Sequence, residues 1–294
     1  MASSSLVTIV LPVHNGERYL GSSMQSCLEQ TYRNLELIIV DDASTDATPD
    51  IIKSYAALDS RVVTVRHDIN KGLPTALNTG FSLASGQYLT WTSHDNLYRV
   101  TAIAEMVHVL ETEHNLGMVH ANYSDINDEG ELLGQSVWVG YSPDTLVWTN
   151  IMGPCFLYRR EVYETIGEYD PSLILAEDYD YWFRVSQHFS IGFLDKDLYL
   201  YRRHDDSLTS QKQMRIAVMT EKVIVRNIEV VPRLPLKSRL LAYRRLEVLA
   251  HQQKATLRRA KYRLMAAVIA RLQWLSTRGV RRRITAALGQ IKHT

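Results

Sequence analysis

Leu6 to Asn15 reads LVTIVLPVHN, and Leu35 to Asp46 reads LELIIVDDASTD. Each is an unbroken apolar, β-branched run that stops at a polar cluster, the pattern of a strand buried on both faces in a parallel sheet. Arg61 to Arg66 and Tyr88 to Thr92 are two further β-rich runs. Between the four lie Glu17 to Gln30, Thr48 to Leu58 and Leu73 to Ala84, each long enough for a crossover helix. The series predicts an α/β fold, a sheet with helices on both faces. Ligands of such sheets bind beyond the carboxyl ends of strands. The polar clusters fall there: Pro12-Val13-His14-Asn15, Asp41 to Asp46, and Ser93-His94-Asp95-Asn96.

Asp41 to Asp46 followed by Ala47-Thr48-Pro49 also suits a turn and a helix N-cap. Two adjacent carboxylates after a buried strand can equally accept hydrogen bonds from a base imide and ribose hydroxyls. Asp95 offers an oxygen ligand to a hard cation on a diphosphate. Three such clusters at successive strand ends favour a nucleotide site over isolated turns.

The chain has 294 residues, 46% hydrophobic and 22% charged, a globular composition rather than a disordered one. Cys27 and Cys155 stand in unrelated contexts, so neither a disulfide framework nor a thiolate metal site is expected. Met1 to Leu6 lacks a basic n-region, and Leu264 to Leu275 is short and contains Arg271, so neither a secretory signal nor a spanning helix is expected. Of the 33 Lys and Arg, 17 lie in residues 226–294, a segment whose only acids are Glu229 and Glu247. The net charge there is +15, leaving −14 for residues 1–225. Pro232 and Pro235 mark the change of pattern. The expected organisation is a catalytic domain over 1–210, a connecting helix and Pro-containing linker over 211–235, and a basic amphipathic helical extension over 236–294. Leu240, Leu241, Tyr243, Leu246, Leu249 and Ala250 are at helical spacing. The basic extension suits peripheral contact with an anionic membrane, with Leu272, Trp274, Leu275, Arg271 and Arg278 facing it, or packing and self-association. Nucleic acid is not an expected partner.

The runs Val10-Leu11-Pro12-Val13-His14-Asn15-Gly16-Glu17, Ser26 to Tyr32 and Leu37 to Asp46 closely resemble the opening of family 2 glycosyltransferases of the GT-A fold. The resemblance continues through Asn70-Lys71-Gly72, Ala76 to Gly80 and Ala84 to Tyr88, and covers about the first 210 residues. It implies a Rossmann-like, mixed, mostly parallel sheet and an inverting, metal-assisted enzyme moving a single sugar from a UDP-, GDP- or dTDP-sugar to a glycan, lipid-linked or other hydroxyl acceptor. Cytoplasmic work in cell-envelope polysaccharide synthesis goes with it. It places Pro12, Val13, His14, Asn15, Glu17, Asp41, Asp42, Lys71, Gly72, Asn78, Ser93, His94 and Arg202 at the donor. The family's Asp-x-Asp becomes Ser93-His94-Asp95, so Asp95, with His204 from Tyr201-Arg202-Arg203-His204, would hold Mg2+ or Mn2+. Gly153, Pro154, Glu177 and Trp182 would border the acceptor, and Asp178 would be the base. As a helix, 178–189 places Asp178, Tyr181, Trp182, Val185 and Phe189 on one stripe. The helix dipole alone also accounts for acids at 177 and 180. A Gln-x-x-Arg-Trp pattern of processive synthases is absent. Two alternatives stand beside the enzyme: a degenerate scaffold, suggested by Ser93, and a nucleotidyltransferase, disfavoured because no Gly-rich loop follows the first strand.

Overall fold

The structure is a computed structural model that describes residues 5–136, 143–205, 207–231 and 234–291, with side chains of the last helix as far as Trp274. Pro232, where the sequence places a break, lies outside the described residues, as do the side chains of Leu275 and Arg278. The chain divides into two compact units, 1–141 with 151–211, and 142–150 with 212–294.

The first unit begins β1 (Val7–Val13), α1 (Leu20–Leu28), β2 (Leu35–Asp41), α2 (Thr48–Leu58), β3 (Val62–Arg66), α3 (Leu73–Leu83) and β4 (Tyr88–Trp91). There follow β5 (Leu97–Tyr98), α4 (Ala102–Thr112), β6 (Leu116–Ile126) and β7 (Leu132–Ser136), then α5 (Pro143–Leu146), which belongs to the second unit. The first unit resumes with β8 (Phe156–Arg159), α6 (Arg160–Ile166), a 3-10 turn at Pro171–Leu173, α7 (Glu177–His188), β9 (Ser190–Arg202) and α8 (Leu208–Gln211). Among the described residues the strands form one sheet in the order β3-β2-β1-β4-β8-β6-β9-β5, with β7 beside β6. The four predicted strands lie together and parallel, and β8 joins β4 antiparallel.

Alternation along the strands explains the layers. Ile9 and Leu11 of β1, with Leu37 and Ile39 of β2, are buried in one core with Leu20, Met24 and Cys27 of α1 and Ile103 and Met106 of α4. The intervening Val10 and Val40 face α3, which approaches so closely that a Cβ on Gly80 would lie 2.3 Å from Val10 Cγ1. Helices therefore cover both faces, and apolar side chains at successive positions of β1 and β2 are all buried. β3 forms the edge, so only Val62 of its run is fully buried and Val63 is exposed.

In the second unit α9 (Gln213–Val230), α10 (Leu236–Gln252) and α11 (Thr256–Ile291) pack together. Residues 213–230 are thus a long helix of this unit, and Leu246, Leu249 and Ala250 of the predicted stripe are buried. Glu221 of α9 accepts from Arg258 Nη1 (2.9 Å) and the Tyr262 hydroxyl (2.9 Å) of α11, and from Gln253 Nε2 (2.7 Å). No helix among the described residues is long and apolar enough to cross a membrane.

Gly86, just before β4, leaves no room for a side chain, because a Cβ there would lie 2.6 Å from the Thr8 backbone nitrogen and 2.9 Å from the Leu6 carbonyl. Gly86→Ala is expected to lose about 1–3 kcal/mol of stability, read from urea unfolding of the full chain.

Candidate functional site

The parallel register sets Val13 beside Asp41 and Val10 beside Trp91, so the loops leaving β1, β2 and β4 emerge side by side. The first two are stitched together. His14 Nδ1 donates to the Asp42 carbonyl (2.8 Å), Asn15 N to Ser44 Oγ (2.9 Å), and Thr45 N to Asn15 Oδ1 (2.8 Å). Gly16 N donates to Thr48 Oγ1 (2.8 Å), Glu17 N to Asp46 Oδ2 (3.1 Å), and Glu17 Oε2 accepts from Ala47 N (2.9 Å). Asn15 sits at φ 52, a left-handed conformation that asparagine tolerates better than most residues. His14, Asn15 and Glu17 are exposed, whereas Pro12 and Val13 are buried beneath them.

Asp41 and Asp42 are both buried, and their carboxylates do different things. Asp41 accepts from Ser44 N (2.8 Å) and pairs with Arg66, whose Nη2 also donates to the Ser44 carbonyl (2.7 Å). Asp42 Oδ1 accepts from His67 Nδ1 (2.7 Å) and Lys71 N (2.8 Å), and its Oδ2 accepts from Gly72 N (2.8 Å). Asp42 thus holds the loop that starts α3, where Gly72 has φ 83, and it leaves the Lys71 side chain exposed. Arg66 and His67 were not expected at the site, although the strand-end rule that picked out Asp41 applies equally to the end of β3. Asn78, expected at the donor, instead spends both ends of its buried amide on Tyr169: Nδ2 donates to its carbonyl and Oδ1 accepts from its nitrogen, each at 2.9 Å.

At the end of β4, the Ser93 carbonyl accepts from Ser23 Oγ (2.9 Å). His94 lies half-buried so close to Gly16 that a Cβ there would be 2.7 Å from its ring, and burial pulls its pKa down despite neighbouring Asp95. Asp95 Oδ2 accepts from His204 Nε2 (3.0 Å), and the His204 ring lies 5.2 Å from the Tyr19 ring. Asp95 Oδ1 is buried and has no hydrogen-bond partner among the described residues. A buried acceptor of this kind costs roughly 1–3 kcal/mol unless something occupies it. Asp95 and His204 are a hard oxygen and an imidazole donor, a pair suited to Mg2+ or Mn2+. No group of three or more protein ligands occurs among the described residues, so a cation here would need further donors from a ligand.

Arg202 is buried, and its hydrogen bonds go to backbone: Nε to the Asp95 carbonyl (3.0 Å), Nη1 to the carbonyls of Asn127 (2.7 Å) and Asp128 (2.8 Å). Its guanidinium also lies 4.6 Å from the Tyr19 ring centre, and its own nitrogen donates to Asn96 Oδ1 (2.8 Å). Arg202, expected to neutralise phosphates, clamps the Asp95 loop to the end of β9 through Nε and Nη1.

Trp182 is also not where the acceptor reading put it. It is 1% exposed, with its ring 4.5 Å from Phe156 and 5.5 Å from Tyr181, and so forms core beneath α7. Gly153 is buried against Tyr123, and Pro154 is half-buried. The first turn of α7 is buried more deeply than a dipole-facing turn would be. Asp180 accepts from Arg184 Nε (2.8 Å), and Glu177 accepts from Leu175 N (2.6 Å), holding Leu175 at φ 77. Asp178 stays half-buried, its Oδ1 accepting from Tyr179 N (2.7 Å). One aromatic chain ties α7 to β4: Trp91 Nε1 donates to the Tyr169 hydroxyl (3.0 Å), and Tyr169 stacks on Tyr181 at 4.1 Å.

Comparison with known proteins gives the family and the fold. The model described as "Glycosyl transferase family 2" matches residues 8–167. An uncharacterised glycosyltransferase of Rickettsia typhi is 31% identical over 218 residues, which are 70% of this chain and 67% of that protein. Glycosyltransferase GlyA of Streptococcus pneumoniae is 29% identical over 228 residues, 75% of this chain but 29% of that longer protein. Among solved structures, S. aureus TarS 1-349 in complex with UDP-GlcNAc superposes with a TM-score of 0.61 at 16% identity, covering 93% of this chain and 91% of that one. The mannosyltransferase PcManGT from Pyrobaculum calidifontis, in complex with GDP-Man and Mn2+, gives 0.59 at 16%, covering 91% and 87%. These two share the GT-A fold with this chain.

Burial, and after it the charge of Asp178, pushes the Glu177 carboxyl up to about 8 from 4.5. The native state therefore keeps a proton that the unfolded chain releases, so the contribution of Glu177 is full below about pH 4.5 and is lost as pH rises through about 8. In denaturant titrations, Glu177→Gln should gain stability relative to the parent as pH goes from 5 to 8, by at most about 1.4 kcal/mol per unit. A difference independent of pH would contradict the assignment.

Proposed function

The chain belongs to glycosyl transferase family 2, and from that premise we propose that it transfers a single sugar, with inversion, from a nucleoside-diphosphate donor to a hydroxyl acceptor. It is a glycosyltransferase; the donor, the metal and the roles of individual residues are our reading. The observation that carries the reading is the buried Oδ1 of Asp95 at the end of β4, which has no partner among the described residues and lies beside the stitched loops of β1 and β2.

The nucleoside would lie over the exposed His14, Asn15 and Glu17, with Asp41 and its partner Arg66 at the end of β2 and Lys71 near the phosphates. Asp42, Asn78 and Arg202 would act behind this surface by fixing its loops. Asp95 and His204 would hold Mg2+ or Mn2+, which would supply positive charge to the leaving diphosphate. The Nε2 proton that His204 directs at Asp95 would have to leave that nitrogen, by tautomer exchange or proton loss, for His204 to hold the cation. PcManGT, with GDP-Man and Mn2+ bound, and TarS, with UDP-GlcNAc bound, support a nucleotide-sugar donor here.

Asp178 would take the proton from the acceptor hydroxyl as its oxygen bonds to the anomeric carbon. The bond from that carbon to the diphosphate breaks, and the nucleoside diphosphate leaves. Burial raises the pKa of neighbouring Glu177, which opposes a second charge beside this base. Trp91, Tyr169 and Tyr181 would set the position of α7 relative to the end of β4.

The test is turnover of UDP-, GDP- and dTDP-sugars, followed as nucleoside diphosphate release. Asp178→Asn is expected to lower kcat by roughly 10²–10⁴ with donor binding retained. Turnover by the variant close to that of the parent would overturn the role of Asp178.

A further inference from the structure

α11 carries a surface that sugar transfer does not use. Its inward side, Tyr262, Ala266 and Ile269, is buried in the second unit. Arg258 and Arg263 are engaged there by Glu221 and Glu247. The opposite side is also apolar: Leu257, Leu264, Val268 and Leu272 are 88%, 65%, 48% and 49% exposed. Their spacing of seven, four and four residues places them along one line of a helix. Trp274 is exposed just beyond Leu272 on the flank of that line, with the Arg271 guanidinium 4.4 Å from its ring.

The charge around this line is of one sign. From Thr256 to Ile291 there are nine Lys and Arg and no Asp or Glu. Lys261 and Arg271 are exposed on the same side as the leucines. A line of exposed leucines on a long helix without acids meets two demands at once: apolar atoms that gain by leaving water, and cations that gain by meeting anions. Long Lys and Arg side chains can lie along the apolar line and keep their charges at the level of lipid headgroups, and Trp is favoured at that level.

We propose that the outward face of α11, centred on Leu264 and Val268, docks on an anionic lipid surface. A second copy joined through this face by a two-fold axis would set one acid-free helix against another, so like charges would oppose the pairing. Nucleic acid would satisfy the cations but leave the leucines in water. The inference does not depend on the glycosyl-transfer reading, because its test measures binding alone.

The full chain would be sedimented with vesicles of phosphatidylcholine alone and of phosphatidylcholine containing phosphatidylglycerol. Pelleting is expected only with the anionic vesicles, weakening as salt is raised. The double substitution Leu264→Asp and Val268→Asp should weaken it by roughly tenfold or more with an unchanged melting temperature. Leu264→Ser with Val268→Ser removes the same apolar atoms without new charge and should also weaken binding, which separates lost contact from added repulsion. Trp274 emission should shift to the blue on binding, seen as the difference from Trp274→Phe. The proposal is overturned if anionic vesicles leave the protein in the supernatant at low salt, or if both double variants pellet like the parent. It is equally overturned if light scattering shows a dimer that these variants lose.

Discussion

The parallel pairing of β1 with both β2 and β4 is the constraint on which the rest depends. It fixes Val13 beside Asp41 and Val10 beside Trp91, and thereby delivers three polar loops to one edge of the sheet. No single side chain could do this. The pairing needs strands buried on both faces, which is why β1 and β2 are continuous apolar runs. It also needs close approach of α3, which Gly80 permits. The chemistry at the loops then rests on backbone geometry set by the core.

The charged groups at the ends of β2, β4 and β9 differ in what their side chains meet. Asp42 accepts from His67, Lys71 N and Gly72 N, and Arg202 donates to three backbone carbonyls through Nε and Nη1. Such groups are held in place because removing one partner would leave the other buried and unpaired. Asp95 differs: one oxygen meets His204, and the other has no partner among the described residues. The carboxylate of Ser93-His94-Asp95 is thus met by an imidazole from just beyond β9.

The sequence was most legible where a local pattern determines the outcome. Continuous apolar runs specified β1, β2 and their neighbours, and strand-end polarity specified the loops that meet. It was least legible where one residue type serves two purposes. Arg202, Asn78 and Trp182 have the chemistry of ligand-binding residues, yet each also meets groups within the fold: backbone carbonyls, Tyr169 and Phe156. Those partners lie far along the chain, so no spacing rule reveals them. Arg66 and His67 were missed for a simpler reason: β3 is a short edge strand whose exposed alternation makes its end resemble an ordinary turn.

Asp95 stands at the centre of the proposed chemistry, as a residue that acts through a metal on a nucleoside diphosphate. Calorimetric titration of UDP, GDP and dTDP into the full chain, with Mn2+ or with chelator, tests this most directly. At least one nucleotide should bind with Mn2+, and both chelation and Asp95→Ala should weaken that binding by roughly tenfold or more. Equal binding with Mn2+ and with chelator, unaffected by Asp95→Ala, would contradict that role.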